Sequence, residues 1–204
     1  MDRIVLASSN LGKQREFAQL LAPLGIEIVS QGDLGITDAD EPHPTFVENS
    51  LAKARHASRL SAQPSFADDS GICVDALGGA PGVHSARFAP PDDPRAPRDI
   101  VDAGNNRKLI ELLAGNPNRR AHYYCVIVFV RRHDDPEPLI AEGRWHGEVI
   151  DAPRGTSGFG YDPYFLLPEL GRTAAELAAD EKNRISHRGL ALGRLLALLR
   201  ETRG

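Results

Sequence analysis

A chain of 204 residues, 41% of them hydrophobic and 25% charged, is long and apolar enough to bury a real core. A formal net charge of −4 excludes a global positive field that would gather DNA or another polyanion, so any phosphate handled here must meet local cations. No stretch approaches the roughly 18 apolar residues of a membrane span, and the run Ile4-Val5-Leu6-Ala7 is too short for a secretory signal, so the expected compartment is the cytosol.

The first predicted unit is a strand from Arg3 to Ala7, a polar turn from Ser8 to Lys13, and a helix. Its apolar positions Phe17, Leu20, Leu21 and Leu24 fall at i, i+3, i+4 and i+7, and Gly25 closes it. A second strand, Glu27 to Ser30, precedes an acidic, proline-bearing loop with Asp38, Asp40 and Glu41. Thr45-Phe-Val-Glu48 has the form of a capping box and opens an alanine-rich helix to about Ser61. From Ser65 the chain reads as strand, acidic corner and strand: Phe66-Ala67, then Asp68 to Gly71, then Ile72 to Ala76. Gly78 to Gly82 is a turn cluster. Pro90 to Pro97, with Pro94 inside it, is an exposed loop before a helix that includes Ile100, Leu109, Ile110, Leu112 and Leu113.

His122 to Arg131 and Leu139 to Ile150 are predicted to form an antiparallel hairpin, and Pro163 to Leu167 a short strand. Two helices finish the chain, one from about Thr173 to Glu181 and one from Ser186 with apolar Leu192, Leu195, Leu196 and Leu199. This order implies an α/β fold with a mixed sheet, as a single domain over residues 1–204. Cys73 and Cys125 lie in apolar runs and read as buried thiols.

Three segments carry chemistry. A glycine and lysine between strand and helix suggest a Walker A loop, but Ala7 stands where that motif needs glycine and Gln14 where it needs Ser or Thr. The junction still aims backbone N–H groups at one point, with Ser8, Ser9, Asn10 and Lys13 adding donors; the alternative is a plain helix cap. Ser186-His187-Arg188 places cations at a helix start, where the dipole disfavours them by about 0.3–1 kcal/mol each, so a bound anion would justify them; Lys182 belongs to the same cluster. Asp68-Asp69 offers hard oxygens suited to Mg²⁺, with Asp40 and Glu41 as further ligands, or else is simply a turn. In Gly158-Phe159-Gly160-Tyr161-Asp162-Pro163 two glycines expose a ring suited to stacking on a base, or else form a bulge with Phe159 in the core. The histidines have no zinc-ligand spacing.

Taken together the chain resembles the inosine triphosphate pyrophosphatase family. The matching segments run in order through Ser8 to Glu16, Phe46 to Asn49 with Lys53-Ala54-Arg55, Ala67 to Gly71, Leu77 to Gly82 with Ser85-Ala86-Arg87, Gly158 to Pro163, and Glu181-Lys182-Asn183 with Ser186 to Gly189. The resemblance implies an elongated, two-lobed α/β fold with a central mixed sheet flanked by helices, an active-site cleft between the lobes, and a homodimer. It implies hydrolysis of non-canonical purine nucleoside triphosphates (ITP, dITP, XTP) to monophosphate and pyrophosphate with Mg²⁺, and binding of neither nucleic acid nor membrane. The stretch Ser8, Ser9, Asn10, Leu11, Gly12 and Lys13, helped by Lys53, matches the triphosphate site. Asp69 matches the catalytic base, and Glu41, Asp68 and Asp69 the metal site. Ser70 matches a substrate contact. Phe159, in the run through Gly160, Tyr161 and Asp162, would stack on the purine, Asp162 and Lys182 would orient it, and His187 and Arg188 would donate to the 6-oxo group. Ser8 and Ser157 depart from the residues common in the family, Thr and Gly. The alternatives are a Maf-type nucleotide pyrophosphatase, against which the Ser-His-Arg and Gly-Phe-Gly-Tyr-Asp segments argue, and a non-catalytic nucleotide sensor, against which the carboxylate pair argues.

Overall fold

The structure is a computed structural model that describes residues 3–22, 25–91, 93 and 95–202; Leu24 and Pro94 of the sequence analysis lie outside the described residues. Seven strands, β1 (Arg3–Leu6), β2 (Glu27–Ser30), β3 (Ser65–Val74), β4 (Arg120–Val130), β5 (Leu139–Val149), β6 (Phe165–Leu167) and β7 (Arg172–Thr173), form one sheet in the order β2-β1-β3-β4-β5-β6-β7. β1 pairs in parallel with β2 and β3, whereas β6 pairs antiparallel with β5 and β7, so the sheet is mixed. Helices α1 (Leu11–Leu21), α2 (Phe46–Ser61), α3 (Arg98–Leu112), α4 (Ala179–Ile185) and α5 (His187–Glu201) complete the α/β fold. β4 and β5 are sheet neighbours, as the hairpin reading requires.

The chain divides into two compact units, each assembled from separate stretches. The first holds Met1–Asp69, Cys125–Gly143 and His187–Gly204; the second holds Ser70–Tyr124 and Arg144–Ser186. Each has its own apolar core. In the first, Ile4, Leu6, Phe17, Phe66, Ile127, Leu192 and Leu195 close together, with the Phe17 and Phe66 rings edge to face at 5.3 Å. In the second, Ile72, Val74, Leu109, Tyr123, Trp145, Tyr161 and Phe165 do the same. Burying each such side chain stabilises the fold by about 1.5–3 kcal/mol before the entropy of ordering it is charged.

Two elements differ from their sequence expectation. Residues 68–71 are no corner, because β3 runs unbroken from Ser65 to Val74 and both carboxylates sit mid-strand. Partners described below make that burial tolerable. The Thr173-x-x-Glu176 capping box forms, but it caps only one 3₁₀ turn, Ala174–Glu176, and the helix proper is Ala179–Ile185. Thr45 caps α2 by accepting from the Glu48 N–H, as its sequence predicts, although the Glu48 carboxylate returns to the Thr45 hydroxyl and not to its backbone.

Candidate active site

In the first unit the site starts from a charge problem on β3. Asp68 and Asp69 are only 1% and 5% exposed, and buried carboxylates are costly unless paired and hydrogen-bonded. Their side chains alternate along the strand, and each meets its own cations. Lys13 of α1 places Nζ 2.9 Å from Asp68 Oδ2, and Arg188 of α5 brings Nε to 3.5 Å of the same oxygen. Arg188 Nη1 also donates to Glu16 Oε2 at 2.8 Å. Asp69 is served from α2: Lys53 Nζ lies 3.4 Å from its Oδ1, and Asn49 Nδ2 donates to its Oδ2 at 3.2 Å. Lys53 also reaches Glu41 Oε1 at 2.6 Å, which joins the acidic loop to the strand.

Helical spacing explains the delivery. Lys13 and Glu16 stand three apart on α1, Asn49 and Lys53 four apart on α2, so each pair leaves its helix on one face. Asn49 in turn holds the backbone of His43 through both its N–H and its carbonyl, fixing the loop that carries Glu41. Glu16 and Asn49 stood inside the matched segments without a role; their spacing from Lys13 and Lys53 is the signal that finds them. The anion that justifies Arg188 at the start of α5 is therefore partly the protein's own, namely Glu16 and Asp68.

The turn before α1 forms the helix cap that its sequence allows. Asn10 Oδ1 accepts from the Gly12 and Lys13 N–H groups as a helix cap, and Ser8 Oγ accepts from Asn10 N. Ser9 donates to Asp38 Oδ2 at 2.6 Å, and Gln31 also binds Asp38, a clamp that sequence reasoning missed. Leu11 is 66% exposed. His187 is buried, and its carbonyl lies against Gly143 of β5.

Electrostatics separate the two carboxylates. Burial alone would raise Asp68, but Lys13, Arg188 and Lys53 outweigh it and hold its carboxyl well below the ordinary 3.8. Burial dominates for Asp69, with Glu41 and Asp68 adding to it, so its carboxyl is raised despite Lys53 and Lys13. Neighbouring carboxylates pushed apart in this way are suited to different tasks. Because the folded value of Asp68 is depressed, its share of stability is complete above about pH 4 and is lost as the pH falls through that folded value. Asp68→Asn is expected to flatten the acid limb of the urea midpoint in metal-free protein; an unchanged limb contradicts the assignment.

In the second unit Asp162 is the hub of the aromatic loop. Its Oδ2 accepts from Phe159 N at 2.9 Å and from Lys182 Nζ at 2.8 Å, and its Oδ1 from the Tyr123 hydroxyl at 3.3 Å. Lys182 Nζ also stands 5.3 Å from the centre of the Phe159 ring. Gly158 has φ +78°, and a Cβ there would meet Asp162 Oδ2 at 2.1 Å, so this glycine is required both by backbone angle and by space. Tyr161 is buried in the core, and its hydroxyl donates to Ser85 O at 2.8 Å, which makes its side chain a support of the loop. Ser70 continues β3 one residue beyond Asp69 and is half-buried.

Among the described residues no cluster of three or more His, Cys, Asp or Glu could by itself hold a metal. Mg²⁺ does not require one, since it binds through one or two carboxylates, several waters and substrate phosphates. Glu41 and Asp69 fit that demand, because both already face the same Lys53 Nζ. Around the pair, the carboxylates of Glu16, Glu41, Asp68 and Asp69 outnumber the cations Lys13, Lys53 and Arg188.

Comparison with known proteins gives one answer. Residues 4–198 match the model of the Ham1 family. The dITP/XTP pyrophosphatase of Ralstonia nicotianae is 63% identical over 200 residues, covering 98% of each chain. That of Burkholderia pseudomallei is 63% identical over 201 residues, covering 98% of this chain and 95% of its own. Among solved structures, a HAM1 protein from Coxiella burnetii aligns with a TM-score of 0.87 at 45% identity, covering 98% of this chain and all (100%) of that one. The Ham1 protein of Staphylococcus aureus aligns at 0.83 and 35%, covering 98% and 99%. No helix among the described residues is long and apolar enough to cross a membrane. With its mixed sheet, its buried Asp68-Asp69 pair and its matched length, the chain belongs to the Ham1 family.

Proposed function

We propose that this protein hydrolyses non-canonical purine nucleoside triphosphates, ITP, dITP and XTP, to the monophosphate and pyrophosphate. The observation that carries the reading is the pair of adjacent buried carboxylates, one locked by Lys13 and Arg188 and shifted down, the other beside Lys53 and Glu41 and shifted up. A pure binding protein gains nothing from an acid of raised pKa among lysines. The name dITP/XTP pyrophosphatase, borne by relatives at 63% identity over nearly the full length, supplies the substrate class.

In this reading Ser8, Ser9, Asn10 and Lys13, with the backbone of Leu11 and Gly12, receive the triphosphate, and Lys53 helps neutralise it. Asp69 takes the proton from a water that attacks the α-phosphorus, and pyrophosphate leaves. Glu41 and Asp69 would hold Mg²⁺, which would supply charge neutralisation on the triphosphate. Asp68 serves that site by keeping Lys13 and Arg188 in place. Phe159 stacks on the purine, Lys182 and Asp162 orient it, and Ser70 adds a substrate contact. His187 and Arg188 donate towards the 6-position, Arg188 from a guanidinium braced by Glu16. A 6-oxo group accepts those hydrogen bonds, whereas a 6-amino group would leave the donors unpaired, and such sites discriminate strongly. The protein works in the cytosol as a homodimer and as one catalytic domain; its thiols, Cys73 and Cys125, are free.

The test is one assay of ITP, XTP, dITP, GTP and ATP with Mg²⁺, reading phosphate with and without added inorganic pyrophosphatase. Signal only with the coupling enzyme supports pyrophosphate release; direct phosphate overturns the cleavage position. His187→Ala is expected to narrow the ratio of ITP to ATP turnover, and an unchanged ratio removes His187 from base recognition.

A further inference from the structure

We propose that Asp102 and Asn106 of α3 are positioning residues that aim the Phe159 ring, a role resting on the reading of Phe159 as the base platform. The two stand one helical turn apart and so leave the helix on one face. Together they hold both polar groups of Gly160: its N–H donates to Asp102 Oδ2 at 2.9 Å, and its carbonyl accepts from Asn106 Nδ2 at 2.9 Å. Asn106 is 7% exposed, and Asp102 and Gly160 are half-buried.

The geometry matters because of where Gly160 lies. The direction of a side chain is set by the two peptide planes that flank its Cα. The plane before Phe159 is fixed by Asp162, which accepts from Phe159 N. The plane after it contains the Gly160 N–H and is fixed by Asp102. Gly160 itself supplies no restraint, since its φ is +65° and a Cβ there would meet nothing within 4 Å. Between two glycines at φ +78° and +65°, with no Cβ on either side to limit the backbone, these outside hydrogen bonds, together with the Asp162 N–H to Phe159 O bond at 3.4 Å, help to aim the ring.

The neighbouring side chains on the helix extend the same logic. Asn105 Oδ1 accepts from Ala89 N at 2.7 Å and its Nδ2 donates to Ala86 O at 3.4 Å, so the Asn105-Asn106 pair staples two separate loops to one helix. Arg98 Nε lies 2.9 Å from the other Asp102 oxygen, close enough for an ion pair although not aligned as a hydrogen bond, and it holds the carboxylate in register from one turn earlier.

The chemistry of each residue is separable. Asp102→Ala removes the acceptor for Gly160 N–H, whereas Asp102→Asn keeps an oxygen that can accept. Asn106→Asp keeps the shape but turns a carboxylate towards the Gly160 carbonyl. Steady-state kinetics with ITP and amide hydrogen exchange of residues 156–164 in the ligand-free protein test the assignment together. Asp102→Ala and Asn106→Asp are expected to raise KM for ITP about three- to tenfold each with kcat changed less, as the loss of one net hydrogen bond implies. Exchange at the Gly160 N–H should quicken by a similar factor in Asp102→Ala, while Asp102→Asn stays near the wild type in both readouts. A KM and an exchange rate that do not move in Asp102→Ala overturn the proposal, as does an Asp102→Asn variant as impaired as Asp102→Ala. If the wild type turns over no ITP, the functional reading falls first, and the exchange result then speaks only to loop geometry.

Discussion

Asp69→Asn is expected to lower kcat for ITP by about 10²–10⁴-fold while leaving the melting temperature of the metal-free protein unchanged or higher. The first half follows from removing the proton acceptor. The second follows from the sign of its shift. The folded value lies above the ordinary 3.8, so ionising Asp69 costs folding stability as the pH rises from the ordinary value through the folded one. An amide of the same shape removes the cost, still accepts from Asn49 Nδ2, and leaves Lys53 with Glu41. Asp68→Asn should do the opposite. It leaves Lys13 and Arg188 facing a neutral group in a buried site, a loss of about 3–5 kcal/mol when one partner of a buried pair is removed. Thermal unfolding at pH 7 and steady-state kinetics read both variants. Equal destabilisation by the two substitutions, or near-normal turnover in Asp69→Asn, would refute the division of roles.

Gly143→Ala is expected to destabilise the protein at the upper end of the about 1–3 kcal/mol typical of overpacking and to erode ITP selectivity, although this residue on β5 carries no chemistry. A Cβ at Gly143 would stand 2.1 Å from His187 O and 2.8 Å from Ala191 N. Both are backbone atoms of α5, so no side chain can swing aside and the first turn of the helix must retreat. That turn carries His187 and Arg188, and its displacement draws Arg188 away from Glu16 and Asp68. The urea midpoint and the ratio of ITP to ATP turnover report the two consequences. Wild-type stability with an intact ratio would show that the contact is not needed.

The sequence by itself determined the α/β class and nearly all of the elements, and it singled out the segments of the candidate site. Periodicity locates α2 and α5 because an amphipathic helix writes its apolar face at every third or fourth residue. The resemblance proposed the site residues because six short segments kept their order. Asp68 and Asp69 were legible as a pair, yet their placement was not. Residue types that favour turns suggested a corner, and the unbroken β3 overrode that preference because Lys13, Arg188, Lys53 and Asn49 converge there from three helices distant in the chain. Local propensity is worth tenths of a kcal/mol, whereas an unpaired buried carboxylate costs several.

Only the tertiary structure decided the rest. It assigned Glu16 to Arg188, Asn49 to Asp69, and Asp102 and Asn106 to Gly160. Such pairings join residues up to 172 positions apart, and nothing in either local pattern names the partner. The one-residue difference between a locked anion and a raised acid is likewise a property of what each side of β3 faces. Charge and spacing on the chain announce that carboxylates and cations will meet; the packing of α1, α2 and α5 around the strand decides which carboxylate is shifted down and which is shifted up.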